Sequence, residues 1–138
     1  MVFSLLETAM RFSTYLRLVR ASALYDLIVT GALATPWTLP YVHGLMSRLN
    51  VALGGAPLPA FAPFHIFIAG LLGSIVVVWS ILRLRAPSVN LGRHDGAARF
   101  LFSSWMAWTL SHADSPVLWL LLVPEFAWGV VQWRRVEQ

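Results

Sequence analysis

Residues 64–82 read FHIFIAGLLGSIVVVWSIL and contain no Asp, Glu, Lys or Arg. A helix of about 20 mostly apolar residues is long enough to cross the roughly 30 Å hydrocarbon core of a bilayer. A helix that is apolar on every side belongs in lipid or in a large protein core. We therefore predict a transmembrane helix over this segment.

The whole chain has the same apolar character. Of its 138 residues, 58% are hydrophobic and 12% are charged, whereas soluble domains carry roughly 25% charged residues. This composition argues against an ordinary soluble globule and against a disordered chain. Three more segments are apolar enough to span, at about 21–39, 97–113 and 116–133. We predict an all-α membrane protein, a four-helix transmembrane bundle in one domain over residues 1–138.

The connections between these spans hold helix-breaking residues. Residues 83–95 form a predicted polar connection, in which Pro87 and Gly92 interrupt the helix. Asp114 and Ser115 are predicted to cap a fourth helix that starts at Pro116.

The first outer loop contains a helical pattern of apolar residues, with Arg48 and Asn50 elsewhere on the wheel. The apolar positions are Val42, Leu45, Met46, Leu49, Ala52 and Leu53. This spacing predicts an amphipathic interfacial helix.

Two alternatives concern the start of the chain. Residues 2–20 either form an interfacial helix or extend the first span. Ala32-Leu33-Ala34 also resembles the cleavage site of a signal peptide. The charged Asp26 within the apolar run argues against cleavage.

The arginines predict the orientation. With four spans, one side of the membrane receives Arg48 alone and the other receives nine arginines: Arg11, Arg17, Arg20, Arg83, Arg85, Arg93, Arg99, Arg134 and Arg135. The positive-inside rule then places both termini in the cytoplasm. The net charge is +4, but the arginines flank apolar segments and do not share one helical face. We therefore predict the lipid bilayer as the partner, and no nucleic acid.

Two acids are predicted to lie at membrane depth. Asp26 lies about 9 Å beyond Arg20, and Glu125 lies about 13 Å before Arg134, at the helical rise per residue. Pro124 precedes Glu125 and should kink its helix. Because a charge at the bilayer centre costs about 2.5–3.5 kcal/mol, each acid is a candidate for function.

Two interpretations of these acids stay open. In the first, Arg83 and Arg99 pair with Asp26 as an internal latch, and Glu125 hydrogen-bonds to the serines at 103–104 or to a backbone carbonyl. In the second, Asp26 and Glu125 are catalytic residues, an acid and a base around an apolar substrate.

The histidines are candidate metal ligands. His43, His65 and His112 are predicted on the outer side. His65 and His112 would ligate a haem, or join His43 and Asp114 around a zinc or copper ion. The alternative is a set of polar tips at the interface. The sequence has no cysteine, and we predict no cofactor.

Aromatic and small residues provide the other candidate surfaces. Trp79, Trp105 and Trp108 lie deep and, with Arg83 and Arg99, are candidate ligand-binding residues; the alternative is packing of the bundle.

A face of small residues on the second span is formed by Ala69, Gly70, Gly73 and Ser74. Such a face permits close helix contact in lipid. It predicts packing within the bundle or, alternatively, a seam with a membrane-protein partner or a second copy.

The layout over residues 16–135 resembles the small bacterial DoxX-like four-span proteins. The resemblance consists of an arginine-flanked first span, an outer loop closing in PLPAFAPFH (57–65), a glycine-bearing second span and a short basic inner loop. It implies a bacterial inner-membrane protein that acts as an accessory subunit of a redox system.

A more distant similarity of plan links the chain to the four-span sterol-isomerase and sigma-2-receptor group. There, membrane acids and tryptophans surround a lipophilic ligand, and Asp26, Glu125 and Trp108 match in residue type only.

These observations favour a protein without enzymatic activity. The chain has no P-loop, GxGxxG, GxSxG or HExxH motif. We predict an accessory subunit or a binder of a small apolar ligand. The alternatives are a membrane-embedded enzyme or lipid-binding protein that uses Asp26 and Glu125, and a haem or metal carrier.

Overall fold

The computed structural model describes residues 9–137, and this part of the chain is predominantly helical. Its helices are α1 (Phe12–Val29), α2 (Thr38–Ala52), α3 (Pro63–Arg85), α4 (Val89–His112) and α5 (Trp119–Gln132). Two short 3-10 helices, Gly31–Ala34 and Pro116–Leu118, precede α2 and α5. The predicted all-helical class is confirmed.

Two-residue strands join the ends of the described chain. Strand β1 (Met10–Arg11) pairs in parallel with β2 (Val136–Glu137), with Met10 opposite Val136. The Met10 amide also donates to the Arg135 carbonyl at 2.7 Å. The two ends therefore lie side by side.

The helix predicted over residues 21–39 is wrong at both limits. Helix α1 starts at Phe12 and ends at Val29, so residues 12–20 are continuous with this helix. The rest of the segment predicted over residues 2–20 lies largely outside the described residues. The backbone turns at Gly31–Ala34, and Thr35 is extended before Pro36, as expected for a residue that precedes proline. The Thr38 amide then donates to Thr35 Oγ1 at 3.1 Å as α2 begins.

The polar connection predicted over residues 83–95 is also wrong, because α4 already begins at Val89. Ser88 caps it by accepting from the Leu91 amide at 3.1 Å. Gly92 lies inside the helix, where an added Cβ would come within 2.5 Å of Tyr15 Oη and 2.8 Å of Val19 Cγ2. This glycine therefore serves the close contact between α1 and α4.

The predicted start of the helix at Pro116 needs a smaller correction. Pro116 is the first residue of its 3-10 helix, as predicted, but Ser115 makes no side-chain cap. Asp114 Oδ2 instead accepts from the Ala56 amide at 3.0 Å. Helix α5 continues through Pro124.

The amphipathic pattern predicted over residues 42–53 lies almost entirely in α2, and the predicted helix is confirmed. Asn50 near its end is fully buried. Its amide nitrogen donates to the carbonyls of Ala56 (2.7 Å) and Asp114 (2.9 Å), and its Oδ1 accepts from Val117 at 3.0 Å. Asn50 thus links α2 and the loop that follows it to the α4–α5 connection.

The helices pack in two pairs. Helix α3 packs against α1 and the 3-10 helix Gly31–Ala34, whereas α4 packs against α5. The stripe of α1 that is buried holds Tyr15, Val19, Ser22, Ala23 and Asp26.

The interior of this structure holds more polar and charged side chains than large apolar ones. Most of the side chains with the lowest exposure are polar or charged, and large apolar side chains such as Leu72, Ile75 and Val78 of α3 are 57–69% exposed. Among the described helices, α3 is the one that combines the length and the apolar composition needed to cross a membrane. The residues at 116–132 form a shorter apolar helix.

Candidate functional site

Five charged side chains from four helices meet inside the protein, and we call them the charge cluster. They are Asp26 of α1, Arg83 of α3, Asp95 and Arg99 of α4, and Glu125 of α5. Each is at most 9% exposed. The cluster therefore lies where the helix pairs α1–α3 and α4–α5 meet.

Arg83 joins α3 to its two neighbours in this cluster. Its Nη2 forms an ion pair with Asp26 Oδ2, and its Nη1 lies 2.6 Å from Asp95 Oδ2. Nη1 also donates to Ser22 Oγ at 3.1 Å. The predicted pairing of Arg83 with Asp26 is confirmed.

Arg99 contacts all three acids. Its Nη2 lies 2.8 Å from both carboxylate oxygens of Asp26, its Nε lies 2.9 Å from Asp95 Oδ2, and its Nη1 lies 2.8 Å from Glu125 Oε2. The predicted Arg99–Asp26 pair is confirmed. Since a guanidinium offers donors in a fixed planar fork, this residue sets the relative positions of three helices.

One interpretation predicted that Glu125 hydrogen-bonds to a serine at 103–104 or to a backbone carbonyl, and the serine bond is wrong. Ser104 Oγ donates to the Phe100 carbonyl of its own helix at 2.8 Å. Ser103 Oγ is buried and has no partner within the described chain. Arg99 takes Glu125 instead, because an ion pair satisfies the carboxylate better than a neutral hydroxyl.

Asp95 is the cluster residue that sequence reasoning missed. Its Oδ1 accepts from Trp79 Nε1 at 2.8 Å, and its Oδ2 also accepts from Gln132 Nε2 at 2.8 Å. The spacing of four residues between Asp95 and Arg99 was the available signal, since such pairs share a helix face. The predicted connection over residues 83–95 placed Asp95 outside a helix, so this pair was not recognised.

Polar residues beside the charge cluster hydrogen-bond to one another on the side of the β1–β2 pair. Gln132 Nε2 donates to Ser22 Oγ at 2.8 Å, and the Gln132 carbonyl accepts from Tyr15 Oη at 2.7 Å. These residues carry no charge, so the sequence offers no signal that marks them.

An open cavity of about 570 Å³ lies beside the charge cluster. Its polar side includes Asp26, Asp95, Arg99 and Glu125. Its apolar lining comes mainly from α3 and α4 and includes Leu72, Ile75, Val76, Trp79, Phe102 and Trp105. The cavity is thus lined mainly by apolar side chains, with the charge cluster along one side.

The candidate ligand-binding residues divide into three groups. Trp79, Trp105 and Arg99 line the cavity. Arg83 lies behind the lining, fully buried in the charge cluster. Trp108 is outside the lining, 54% exposed and stacked on the His112 ring at 4.4 Å between centroids. Asp26 and Glu125, the candidate catalytic residues, line the same cavity.

The candidate metal ligands His43, His65, His112 and Asp114 do not form a metal-binding group of three within the described residues. Within residues 9–137, no three His, Asp or Glu side chains are placed to hold a metal ion. His43 Nε2 is 2.9 Å from the Pro59 carbonyl, His65 Nδ1 accepts from the Ala62 amide at 3.1 Å, and His112 Nδ1 contacts the Trp108 carbonyl at 2.8 Å. Local backbone partners occupy a nitrogen of each ring.

The small-residue face of α3 divides in two. An added Cβ at Gly73 would meet Ala34 N at 2.6 Å, so this position packs inside the chain. A Cβ at Gly70 would meet nothing within 4 Å, and Ser74 Oγ donates to the Gly70 carbonyl at 2.8 Å. Packing within the bundle is confirmed for Gly73.

Comparison with known proteins gave no family model, curated protein or solved structure that matches this chain.

Proposed function

We propose that this protein is a multi-pass membrane protein that binds a small apolar molecule in the cavity beside the charge cluster. The observation that carries the proposal is the cavity itself. Its volume of about 570 Å³ lies within the roughly 300–1,000 Å³ of small-molecule sites. Mostly apolar walls with a few convergent polar groups are the usual composition of such sites.

The distribution of side chains supports a membrane location. Among residues 9–137, ten polar or charged residues are buried, against five apolar ones, while 28 large apolar side chains are exposed. In water this arrangement would forgo most of the hydrophobic stabilisation of folding. In lipid the apolar exterior carries no penalty, and the ionisable residues face the bundle interior as expected.

Helix dimensions support four crossings. At the α-helical rise, α1, α3 and α4 are about 27, 35 and 36 Å long. The 3-10 helix and α5 together add a fourth, shorter rod. We infer that α1, α3, α4 and α5 cross the bilayer and that α2 lies at the outer surface.

Two features support the proposed orientation. The pairing of β1 with β2 places the described chain ends at one end of the molecule. Most of the arginines lie near this end of the sequence-predicted bundle, which favours a cytoplasmic location for both termini. With the DoxX-like plan, this leads us to propose the bacterial inner membrane.

The proposal includes contact with another membrane protein. A DoxX-like accessory subunit would contact other membrane proteins, and the open half of the small-residue face at Gly70 and Ser74 supports such a contact. Acid–base catalysis by Asp26 and Glu125 is the weaker proposal. Both oxygens of Asp26 are already bound to guanidinium groups, so neither oxygen is open to a substrate.

A pair of adjacent alanines provides the test. Ala98 lines the cavity, whereas Ala97 is exposed outside the lining. We expect Ala98→Phe to fill the cavity and to abolish binding of phenylbutanol, measured by calorimetry in detergent with empty micelles as the blank. Ala97→Phe is the matched control and should bind as the wild type does. Equal binding by both variants would contradict the proposed site.

A further inference from the structure

The charge cluster carries an excess of negative charge. Three carboxylates, Asp26, Asp95 and Glu125, face two guanidinium groups, Arg83 and Arg99. The ionised cluster therefore has a formal charge of −1. Since an uncompensated buried charge is costly, the site favours a cation that arrives from outside.

The position of this unmet charge is visible in the hydrogen bonds. Both oxygens of Asp26 and both oxygens of Asp95 accept hydrogen bonds. Glu125 differs: its Oε2 accepts from Arg99 Nη1 at 2.8 Å, whereas its Oε1 receives no donor from residues 9–137. The Glu125 residue is 9% exposed and lines the cavity.

We propose that the ligand is an organic amine on an apolar body, whose ammonium group donates to Glu125 Oε1. This inference rests on the proposed binding function and narrows its ligand class. The ammonium would bring the cluster to neutrality and satisfy its one open carboxylate oxygen with a charge-assisted hydrogen bond.

The remaining lining fits such a molecule. Leu72, Val76 and Phe102 offer apolar contact to the body of the ligand. The indole rings of Trp79 and Trp105 belong to the same lining, and aromatic faces attract cations. His94 also lines the cavity but pairs with no acid among the described residues; its Nδ1 is 2.8 Å from the Asn90 carbonyl.

Three probes with one hydrocarbon body test the inference: phenylbutylamine, phenylbutanol and phenylbutanoate. Binding is measured by calorimetry at about pH 8, where an ordinary imidazole is neutral and an alkylamine is still protonated. We expect the wild-type protein to bind the amine about tenfold more tightly than the alcohol, and the carboxylate least. Comparison of the probes on the wild type requires no variant.

Glu125→Gln is the specific variant, because the amide keeps an oxygen for Arg99 and removes the excess charge. We expect it to bind the amine no better than the alcohol, because the preference for the amine depends on the carboxylate. Glu137→Gln, which removes a carboxylate from strand β2, is the matched control and should keep the preference for the amine.

The outcomes separate the two proposals. If the wild type binds amine and alcohol equally, or if Glu125→Gln keeps the preference, the amine inference is overturned and the cavity proposal stands. If none of the probes binds, the cavity proposal fails, and the amine inference fails with it.

Discussion

Replacement of Asp95 by alanine tests the structural role of the charge cluster most directly. Asp95 is 3% exposed and accepts four hydrogen bonds from side chains. Their donors are Trp79, Arg83, Arg99 and Gln132. Asp95→Ala would leave all four donors without this acceptor in the interior of the protein.

The expected loss follows from these contacts. Hydrogen bonds to a charged group contribute about 1.5–3 kcal/mol each, so a simple sum for four bonds would be about 6–12 kcal/mol. Removal of this carboxylate also removes the excess negative charge, and Arg83 and Arg99 keep their contacts to Asp26. We therefore expect a loss of about 3–5 kcal/mol, the range for breaking a buried ion pair.

Unfolding by SDS in mixed micelles, followed by circular dichroism, would measure this free energy. Asp114→Ala is the matched control, because Asp114 is exposed and its carboxylate accepts one hydrogen bond, from the Ala56 amide. We expect this control to lose at most about 1 kcal/mol. If both variants lose the same amount, the charge cluster does not stabilise the fold as argued.

Two further predictions concern packing and topology. Gly92→Ala should destabilise the protein by about 1–3 kcal/mol, the usual effect of overpacking, because its Cβ would meet Tyr15 and Val19. Gly70→Ala is the control and should be tolerated, since its Cβ would meet nothing within 4 Å. Equal melting temperatures of the two variants in detergent would contradict the described α1–α4 contact. Compartment-sensitive reporters fused in turn to the two termini should both report the cytoplasm, and opposite compartments would refute the proposed even number of crossings.

Helix α3 could be predicted from the sequence because composition alone decides it: residues 64–82 lie within the observed Pro63–Arg85. The limits of α1 and α4 could not be predicted in this way. Gly92 has a low intrinsic preference for helix, yet the contact with Tyr15 fixes it inside α4. Tertiary contact overrides local preference at this position.

The charge cluster was predictable in part. The predicted membrane depth of Asp26, and the prediction that Arg83 and Arg99 enter the membrane from the same side, were sufficient to predict the two ion pairs. The partner of Glu125 was not predictable, because a sequence does not define how α4 and α5 rotate about their axes. Asp95 required the correct start of α4 before its side chain could be placed.

Asp26 and its two arginine partners are separated by 57 and 73 positions along the chain. In a bilayer, the first helix would therefore enter lipid with an unneutralised acid and remain unfavourable there until helices synthesised much later arrive. The helix is stable in lipid only after those later helices have packed against it. The helices must therefore assemble together rather than one at a time. Incomplete chains would accordingly keep a charged helix in a state that quality-control proteases can recognise.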